Sequence, residues 1–359
     1  MKSGLEDVVA AETVLSDVDG KNGRLIVRGV SLDDLVMSSR YEDVVALLFD
    51  GFLPTPPDLR AALAAARVAV FDHLPEAGAL AGLPVVDGMR ALLARLGDGD
   101  GITTALELLA APSVFTAGLL RTRSGHSAIR PDASLSHAAD TLRMLHGTAP
   151  TDEQVAALDR YLVTVADHGL NASTFAARVV ASTQAGLTSS VLAALSALKG
   201  PLHGGAPGPV LDMLDAVGTP GNAEAWLAAA LDCGERLMGF GHRVYRVRDP
   251  RADALKGAVR MLASSGAIDP ARLALAEAVE AAALKQLRLH KPDRALDTNV
   301  EFYTALLLEA LGFPREAFTA VFAMGRVGGW IAHAREQAET GRLIRPMSVY
   351  VGPREDAAA

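Results

Sequence analysis

Apolar residues recur along most of this chain at the three- and four-residue spacing of amphipathic helices. Before residue 200, this spacing predicts helices over residues 32–48, 57–71, 86–96, 102–109, 135–145, 152–167 and 171–198. After residue 200, it predicts helices over residues 223–237, 250–264, 270–286, 298–311 and 314–340. A Thr151-Asp-Glu-Gln154 capping box marks the start of the helix at residue 152. The pattern therefore predicts a mostly helical protein.

Extended structure is predicted only near the N-terminus. Segments 14–18 and 24–27 flank Asp19-Gly-Lys-Asn-Gly23, a sequence typical of a hairpin turn. The predicted fold class is therefore all-α, with a small N-terminal β hairpin.

Two breaks in the helical pattern indicate two domains. The Gly- and Pro-rich segment 200–209 separates two helical blocks and is a candidate hinge, and a second break falls at Gly312-Phe-Pro314. These breaks predict a large domain of residues 1–205 plus 313–359 and a small domain of residues 206–312. The tail after Arg354 is predicted to fray.

Composition narrows the class of protein. Of the 359 residues, 50% are apolar and only 5% are aromatic, which favours packed helices. The net charge of −8 argues against a nucleic-acid partner. Cys233 is the single cysteine, which excludes an internal disulfide and a multi-cysteine metal site and fits a reducing compartment.

No membrane partner is predicted. The opening residues, Met1-Lys-Ser-Gly-Leu-Glu-Asp, lack the apolar region of a signal peptide. Segment 179–198 carries no charge, but serine, threonine and glutamine interrupt it, so we interpret it as a helix buried in protein. The expected location is the cytoplasm.

Three histidines stand beside glycines where helical patterns end. They lie in Gly200-Pro-Leu-His203-Gly-Gly, in Gly239-Phe-Gly-His242 and in Asp167-His168-Gly. Glycine lets a backbone or a ligand come close to the neighbouring imidazole. The three rings therefore mark a candidate site for a small ligand.

Cations cluster after the second of these histidines. Residues 242–256 carry a local charge of +3 in an acidic protein; the cations are Arg243, Arg246, Arg248, Arg251 and Lys256. In one interpretation this is a solvated helix start with weak surface ion pairs. In the other, the arginines bind carboxylate or phosphate groups. The nearby glycines favour a site for a small polyanion.

The segment Thr298-Asn-Val-Glu301 has two interpretations. It spells a capping box, with Thr298 as N-cap and Glu301 reaching back to it. Alternatively, Glu301 is a carboxylate held at a domain edge as a general base. The spacing alone does not separate the two.

The last predicted helix contains Gly325-Arg326-Val-Gly-Gly329-Trp-Ile-Ala-His333, which places Arg326, Gly329 and His333 on one face. Glycine inside a helix costs about 1 kcal/mol, so it is expected where another backbone or a ligand comes close. Arg326 is therefore predicted to face inward and to need an anionic partner. Arg345, before Pro346, is a further rigidly held cation.

Nucleotide and metal motifs do not occur in the sequence. There is no Walker A, Gly-x-Gly-x-x-Gly or His-Glu-x-x-His pattern, and the His333-Ala-Arg-Glu336 pair is a poor zinc site. No metal is predicted.

Five ordered motifs together resemble the citrate synthase family. They are Gly200-Pro-Leu-His203-Gly-Gly-Ala, Gly239-Phe-Gly-His242-Arg-Val-Tyr-Arg-Val-Arg-Asp-Pro-Arg251, Asn299-Val-Glu301-Phe-Tyr, Gly329-Trp-Ile-Ala-His333 and Arg345-Pro346. The similarity begins at Gly4-Leu-Glu-Asp and spans nearly the whole chain. The length is similar to that of the short bacterial and archaeal type.

The resemblance implies a helical homodimer whose large domain forms the dimer and the oxaloacetate pocket. The small domain is implied to bind CoA and close the cleft. The implied reaction condenses acetyl-CoA, as co-substrate, with oxaloacetate to give citrate and free CoA, as in the tricarboxylic acid cycle. It uses no metal and no permanently bound cofactor.

The resemblance also assigns roles to single residues. The implied catalytic residues are His203, His242 and Glu301. Oxaloacetate is implied to bind His168, Arg251, Arg326 and, from the other subunit, Arg345. CoA is implied to bind Arg246, with Arg248 and Lys256 as further candidates.

Three segments depart from the family pattern. Glu301 stands where the family has aspartate. The usual Gly-Gly-Ala-Asn-Glu after the histidine becomes Gly204-Gly-Ala-Pro207-Gly-Pro209, and Met347 replaces a basic residue. These departures leave alternatives open. They are a 2-methylcitrate synthase that uses propionyl-CoA, a weakly active paralogue with a binding or regulatory role, and an enzyme that cleaves citryl-CoA.

Overall fold

The computed structural model describes residues 4–5, 8–74, 79–80, 82–204, 207–242, 244–294 and 296–353. Three strands near the N-terminus form an antiparallel sheet: β1 Ser16–Asp19, β2 Arg24–Val27 and β3 Val30–Ser31. Ser16 pairs with Val27 across the turn, and Ile26 pairs with Ser31. The predicted hairpin is confirmed. The third strand was not predicted, because two residues are too few to show a pattern.

Helices form most of the remaining described chain, which confirms the all-α prediction. The first nine are α1 Leu32–Ser38, α2 Tyr41–Phe49, α3 Leu59–Phe71, α4 Val85–Leu93, α5 Ile102–Arg123, α6 His137–His146, α7 Asp152–Val165, α8 Ala172–Ala181 and α9 Leu187–Leu198. The others are α10 Pro207–Val217, α11 Ala223–Asp232, α12 Pro250–Ser264, α13 Pro270–His290, α14 Val300–Ala310 and α15 Phe318–Thr340. Short 3-10 helices cover Pro220–Asn222 and Arg315–Ala317.

The single helix predicted over residues 32–48 is wrong, because the chain becomes extended at Ser39 and Arg40 between α1 and α2. The Asp43 side chain accepts the Arg40 backbone N–H at 2.8 Å, and Asp159 Oδ1 accepts that of Tyr41 at 2.9 Å. These two carboxylates satisfy N–H groups that a new helix start leaves free. The apolar spacing continues across the break and hides it in the sequence.

The single helix predicted over residues 171–198 is also wrong. The chain turns between α8 and α9 through Gln184, with φ of 64°, and Gly186, with φ of 94°. Asp98, from another part of the chain, then accepts the backbone N–H groups of Thr188 at 2.9 Å and Ser189 at 3.1 Å. The start of α9 is thus set by a tertiary contact.

Helix α5 continues past residue 109, the last residue of the predicted helix. Pro112 lies inside it and is buried where α5 packs against α3, α4, α6 and α15. Among the described residues, α5 is long and apolar enough to cross a membrane, and 72% of its most apolar window is buried inside the protein. Core helices of globular proteins pass the same test, so α5 is weak evidence for a membrane span.

Helix α10 was not predicted, because its first residues fall in the Gly- and Pro-rich segment 200–209. Proline fits the first turn of a helix, where the missing N–H has no partner to lose. The predicted domain boundary at residues 205 and 206 lies outside the described residues, as does the tail after Arg354. The two-domain division stays a prediction.

Helix α15 is the central element of the core. It packs against α2, α4, α5, α7, α8 and α9, and every residue from Ala320 through Ala334 is buried. A Cβ atom on Gly329 would lie 2.4 Å from the Ala166 carbonyl oxygen. A Cβ atom on Gly325 would lie 2.4 Å from Val165 Cγ2. These glycines let α15 approach the end of α7, as the sequence predicted.

Gly329→Ala should lower the free energy of unfolding by about 1–3 kcal/mol, because the new methyl group meets a backbone atom that cannot move aside. The control is Gly328→Ala in the same helix. Its Cβ would lie 3.2 Å from Val45 Cγ2, a side chain that can shift, so a smaller loss is expected. Urea unfolding of both variants measures the difference, and equal losses would contradict this explanation.

Candidate active site

Most of the predicted site residues lie in loops or at helix starts. His168 lies between α7 and α8, His203 follows α9, and His242 lies in the loop before α12. Arg251 and Glu301 occupy the first turns of α12 and α14. Arg326 lies within α15.

Backbone contacts hold the His242 loop beside the start of α14. Gly241 N–H donates to the Asp297 carbonyl at 2.7 Å, and Asn299 N–H donates to the Gly239 carbonyl at 2.9 Å. Gly239 and Gly241 have φ of 85° and 79°, a conformation that other residues seldom adopt. The glycines that flank His242 are therefore needed for the pairing that brings its loop to the segment before Glu301.

The N-terminal hairpin turn supports the same loop from the other side. Arg246 N–H donates to the Gly20 carbonyl at 2.8 Å. A Cβ atom on Gly20 would lie 2.3 Å from the Val244 carbonyl oxygen. The hairpin therefore packs directly on the segment that follows His242.

Three rings meet at the centre of this region. The rings of His168 and His242 lie 5.7 Å apart, and each contacts Tyr245, at 5.6 and 4.9 Å between ring centroids. His168 Nε2 lies 3.1 Å from the Tyr245 hydroxyl. Burial and the nearby Arg251 keep the pKa of His168 well below its usual value, so this ring is neutral.

The tautomer of His242 follows from its partners. Its Nδ1 accepts the backbone N–H groups of Val244 and Tyr245, each at 3.1 Å, which leaves the ring proton on Nε2. Nε2 lies 3.2 Å from Arg251 Nη2. Burial and Arg251 lower the pKa of His242 to about 4. Two N–H donors thus lie side by side, an arrangement suited to binding one oxygen atom.

Arg251 is buried and held in place by Asp249. Its Nε donates to Asp249 Oδ1 at 3.0 Å, and its Nη2 donates to Oδ2 at 2.8 Å. The same carboxylate accepts the Val300 backbone N–H at 3.2 Å. Asp249 therefore orients the guanidinium and links it to the start of α14.

His203 is oriented by Ser173. Its Nε2 lies 2.8 Å from Ser173 Oγ, which accepts Trp330 Nε1–H at 3.2 Å. Asn171 Oδ1 lies 2.8 Å from the same hydroxyl, but it already accepts two backbone N–H groups as the N-cap of α8. The Ser173 proton is therefore available to His203 Nε2, which places the ring proton on Nδ1. Burial and Arg326 lower the pKa of His203 to about 4.

Glu301 is partly buried, and one of its carboxylate oxygens has no partner among the described residues. This oxygen, Oε2, is itself buried. Burial raises the pKa of Glu301 to about 7, against the opposing effect of Arg251. The capping-box interpretation is wrong. The N-cap of α14 is Asn299, whose side chain accepts the Glu301 backbone N–H at 3.0 Å. Thr298 Oγ1 donates to Glu280 instead. The Glu301 side chain does not take part in a cap.

Arg326 faces inward, as predicted. Its Nε donates to the Val165 carbonyl at 2.5 Å, and its guanidinium lies 4.9 Å from the centre of the Phe322 ring. Within the described part of the chain it forms no ion pair. Burial lowers the pKa of Arg326 to about 10, although the charge of Asp167 opposes this. A cation so placed is suited to binding an anionic ligand.

The three predicted CoA contacts differ in their surroundings. Arg246 is exposed. Arg248 pairs with Asp253 and lies 3.4 Å from Glu280, and Lys256 Nζ lies 2.7 Å from the same carboxylate. Arg246 is thus the one of the three with no ion pair among the described residues, and the role of all three stays a prediction.

Arg345 does not join the other site residues by any contact in the described structure. It is exposed in the segment 341–353, which has no helix or strand. Several apolar side chains of this segment are exposed with it: Leu343, Met347, Val349, Tyr350 and Val351. The predicted position of Arg345 in the site of a partner subunit stays a prediction.

The structure adds residues that the sequence analysis did not select. Tyr245, Ser173 and Asp249 each fix the position of a predicted residue. Tyr245 and Asp249 lie in the His242 motif and Ser173 lies five residues after His168, but nothing in their spacing indicates what they contact. No group of three metal-ligating side chains is found among the described residues.

Comparisons with known proteins all identify the same family. A family model described as "Citrate synthase, C-terminal domain" matches residues 4–347. A citrate synthase of Haloferax volcanii is 38% identical, over 99% of this chain and 97% of its own length. A 2-methylcitrate synthase of Mycobacterium tuberculosis is 34% identical, over 98% of this chain and 91% of its own length.

A solved structure matches the fold of this chain over a similar share of its length. It is the ternary complex of carboxymethyl coenzyme A and oxaloacetate with citrate synthase from Thermoplasma acidophilum. It superposes with a TM-score of 0.88 at 32% identity, covering 99% of this chain and 97% of that one. From its motifs, its fold and these matches, the chain belongs to the citrate synthase family.

Proposed function

We propose that this protein condenses acetyl-CoA with oxaloacetate and hydrolyses the citryl thioester, giving citrate and free CoA. One observation carries the proposal. The carboxylate of partly buried Glu301, whose Oε2 is buried without a partner among the described residues, shares one region with two oriented donors, His242 and Arg251. Carbon–carbon bond formation between a thioester and a ketone needs a base for the first substrate and donors for the oxygen of the second.

Oxaloacetate is a dianion, so its site needs fixed cations. We assign its carboxylates to Arg251 and Arg326, both of them buried, and to Arg345 of a partner subunit. His168 lines the same pocket through its contact with the His242 ring. Arginine suits this role because its planar donors match the geometry of a carboxylate.

The first chemical step removes a proton from the acetyl methyl group. Glu301 takes this proton, and its raised pKa makes it a stronger base than an exposed carboxylate. The thioester oxygen gains negative charge as the enol forms. His203 donates to it from Nδ1, the nitrogen that the Ser173 contact leaves protonated.

In the second step the enol carbon attacks the ketone carbon of oxaloacetate, and the ketone oxygen becomes an alkoxide. His242 Nε2–H supplies a proton to this oxygen, with Arg251 Nη2 beside it. The proton that Glu301 took in the first step then returns to His242, so both residues end as they began. Water then attacks the thioester carbonyl and the bond from carbon to sulfur breaks. The water oxygen becomes part of the new carboxylate, one water proton goes to the departing sulfur, and the other is released. The products are citrate and CoA with a free thiol.

Assembly and location follow from the same proposal. Transfer of Arg345 to a partner site requires a homodimer, and the exposed apolar side chains of segment 341–353 are suited to a protein interface. The small domain, residues 206–312, would bind CoA through Arg246, Arg248 and Lys256 and close the cleft. We expect the enzyme in the cytoplasm, supplying citrate to the tricarboxylic acid cycle.

A second candidate is the same condensation with propionyl-CoA, which gives 2-methylcitrate. It is favoured by the relative named 2-methylcitrate synthase, which is 34% identical to this chain. The two reactions share every residue assigned above. They differ in whether the acyl pocket accepts one more methyl group, which is worth only about 1–3 kcal/mol of discrimination.

Release of free thiol from acetyl-CoA and from propionyl-CoA, each with oxaloacetate, tests both candidates. We expect release with both, at a kcat/KM about tenfold or more higher for acetyl-CoA. A higher value for propionyl-CoA would replace the first candidate by the second. Oxaloacetate binding in calorimetry without release from either thioester would reject both and favour the weakly active paralogue.

A further inference from the structure

A buried polar cluster adjoins the turn that carries His168. We call it the Arg178 cluster, and its members are Ser16, Asp167, Arg178, His333, Glu336 and Gln337. Apart from Ser16, they are no more than 5% exposed. They come from β1, from α8, from α15 and from the turn after α7. Polar groups buried this deeply persist only where they are paired.

His333 occupies the centre of the cluster. Its Nδ1 accepts hydrogen bonds from Arg178 Nε at 3.0 Å and from Arg178 Nη2 at 2.7 Å. The ring proton is therefore on Nε2, which lies 3.1 Å from Asp167 Oδ1. Arg178 thus fixes the tautomer in which His333 donates to Asp167.

Asp167 is held from its other side by the N-terminal sheet. Ser16 Oγ donates to Asp167 Oδ2 at 2.5 Å. The Gly169 backbone N–H points at both groups, 2.9 Å from Ser16 Oγ and 3.3 Å from Asp167 Oδ2. Burial alone would raise the pKa of Asp167, but His333 lowers it to about 2. The ionised carboxylate therefore holds the backbone on both sides of His168.

The opposite side of Arg178 holds the segment that leads to Arg345. Arg178 Nη1 donates to Gln337 Oε1 at 3.1 Å, and Gln337 Nε2 donates to the Arg342 carbonyl at 3.1 Å. One turn after Arg178, Ser182 Oγ accepts the Ile344 backbone N–H at 3.1 Å. Residues 339–343 are exposed, Ile344 is partly buried, and Arg345 is exposed directly after it.

We propose that His333 and Arg178 are positioning residues for oxaloacetate. They fix the turn that carries His168, and they fix the point from which the segment with Arg345 departs toward a partner subunit. Both act through Asp167 and Gln337, without touching the substrate. This inference rests on the proposed function, because oxaloacetate is one of the two substrates proposed there.

Kinetics of His333→Phe test the proposal. Losing one buried hydrogen-bonding group of this kind corresponds to about a tenfold change in affinity, so we expect the KM for oxaloacetate to rise about tenfold. The KM for acetyl-CoA should change less than about threefold, since the cluster has no contact with the predicted CoA residues. His333→Gln, whose amide can accept from Arg178 and donate to Asp167, should restore most of the affinity for oxaloacetate.

Hydrogen exchange gives a second readout that does not depend on activity. In His333→Phe, amide exchange should become faster in peptides that contain Gly169 and Ile344. The matched control is His137→Phe. His137 is also fully buried, but neither ring nitrogen has a partner among the described residues. We expect this control to leave both readouts unchanged.

Each outcome bears on the proposal. A folded His333→Phe with unchanged oxaloacetate KM and unchanged exchange overturns it, and so does an equal rise in both KM values. If His333→Phe does not fold, Ser16→Ala decides, with faster exchange at Gly169 expected and unchanged exchange counting against the proposal. If the wild type turns over neither thioester, the proposed function fails, while exchange at Gly169 and Ile344 still tests the positioning.

Discussion

Glu301→Gln should lower kcat by about 10³-fold and leave the KM for oxaloacetate nearly unchanged. Removing a general base typically costs 10²–10⁴-fold in rate. Glutamine has the same length, and the backbone N–H at position 301 still donates to Asn299 Oδ1, so only the ability to take a proton is lost. Thiol release under saturating substrates measures the effect. A loss of less than tenfold would remove Glu301 from the role of base.

Protein stability provides the control for this variant. The pKa of Glu301 is raised from 4.5 to about 7, so the folded protein binds this proton more tightly than the unfolded chain. The stabilisation that the protonated Glu301 side chain contributes is therefore fully present below pH 4.5. It decreases as the pH rises from 4.5 to about 7, and it is absent at higher pH. Glutamine cannot ionise, so at pH 8 the variant should be at least as stable as the wild type.

The same pKa predicts a pH profile. Because Glu301 must be ionised to act as base, kcat/KM should rise with pH through about 7. The histidines have pKa values of about 4 at His203 and His242, so they stay neutral across this range. The residual activity of Glu301→Gln should not show this rise.

Glu301→Asp restores the residue that is usual in the family, yet it should reduce activity. Removing one methylene draws the carboxylate back by about 1 Å, and a displacement of this size can cost on the order of 10²-fold. The backbone at Glu301 is fixed by Asn299 and by the pairing of Asn299 with Gly239, so it does not follow the shorter side chain. An increase in kcat would instead identify the longer side chain as a defect.

The second large effect is expected for Arg326→Met, which should raise the KM for oxaloacetate by about 10²-fold or more. Removing one partner of a buried charge pair costs about 2–5 kcal/mol, and each 1.4 kcal/mol is a factor of ten. Methionine fills similar volume, so the packing against Phe322 is largely kept. The KM for acetyl-CoA, measured at saturating oxaloacetate, should change little.

Arg335→Met is the matched control for Arg326→Met. Arg335 lies in the same helix and carries the same charge, but it pairs with Glu339 near the surface. Surface pairs contribute about 0–1 kcal/mol, so we expect unchanged kinetics. Equal effects of the two substitutions would mean that Arg326 acts through the net charge of the protein and not through contact with the substrate.

The sequence predicted structure correctly where the residues that determine it are close together along the chain. Helices with clear three- and four-residue spacing, such as α12, appear where they were predicted. The capping box at Thr151 is present, because its two partners lie three residues apart. The predictions failed at residues 39–40 and 184–186, where Asp159 and Asp98 cap a new helix from more than 80 residues away in sequence.

The sequence by itself determined that the protein is helical, and it identified which histidines and arginines stand apart from the core pattern. Only the tertiary structure decided that Glu301 Oε2 is buried without a partner among the described residues, that Asn299 caps its helix, and that Arg178 and Asp167 hold His333. The reason is physical. Periodicity reports the face of a helix, whereas hydrogen-bond partners and burial depend on segments that meet only when the chain folds.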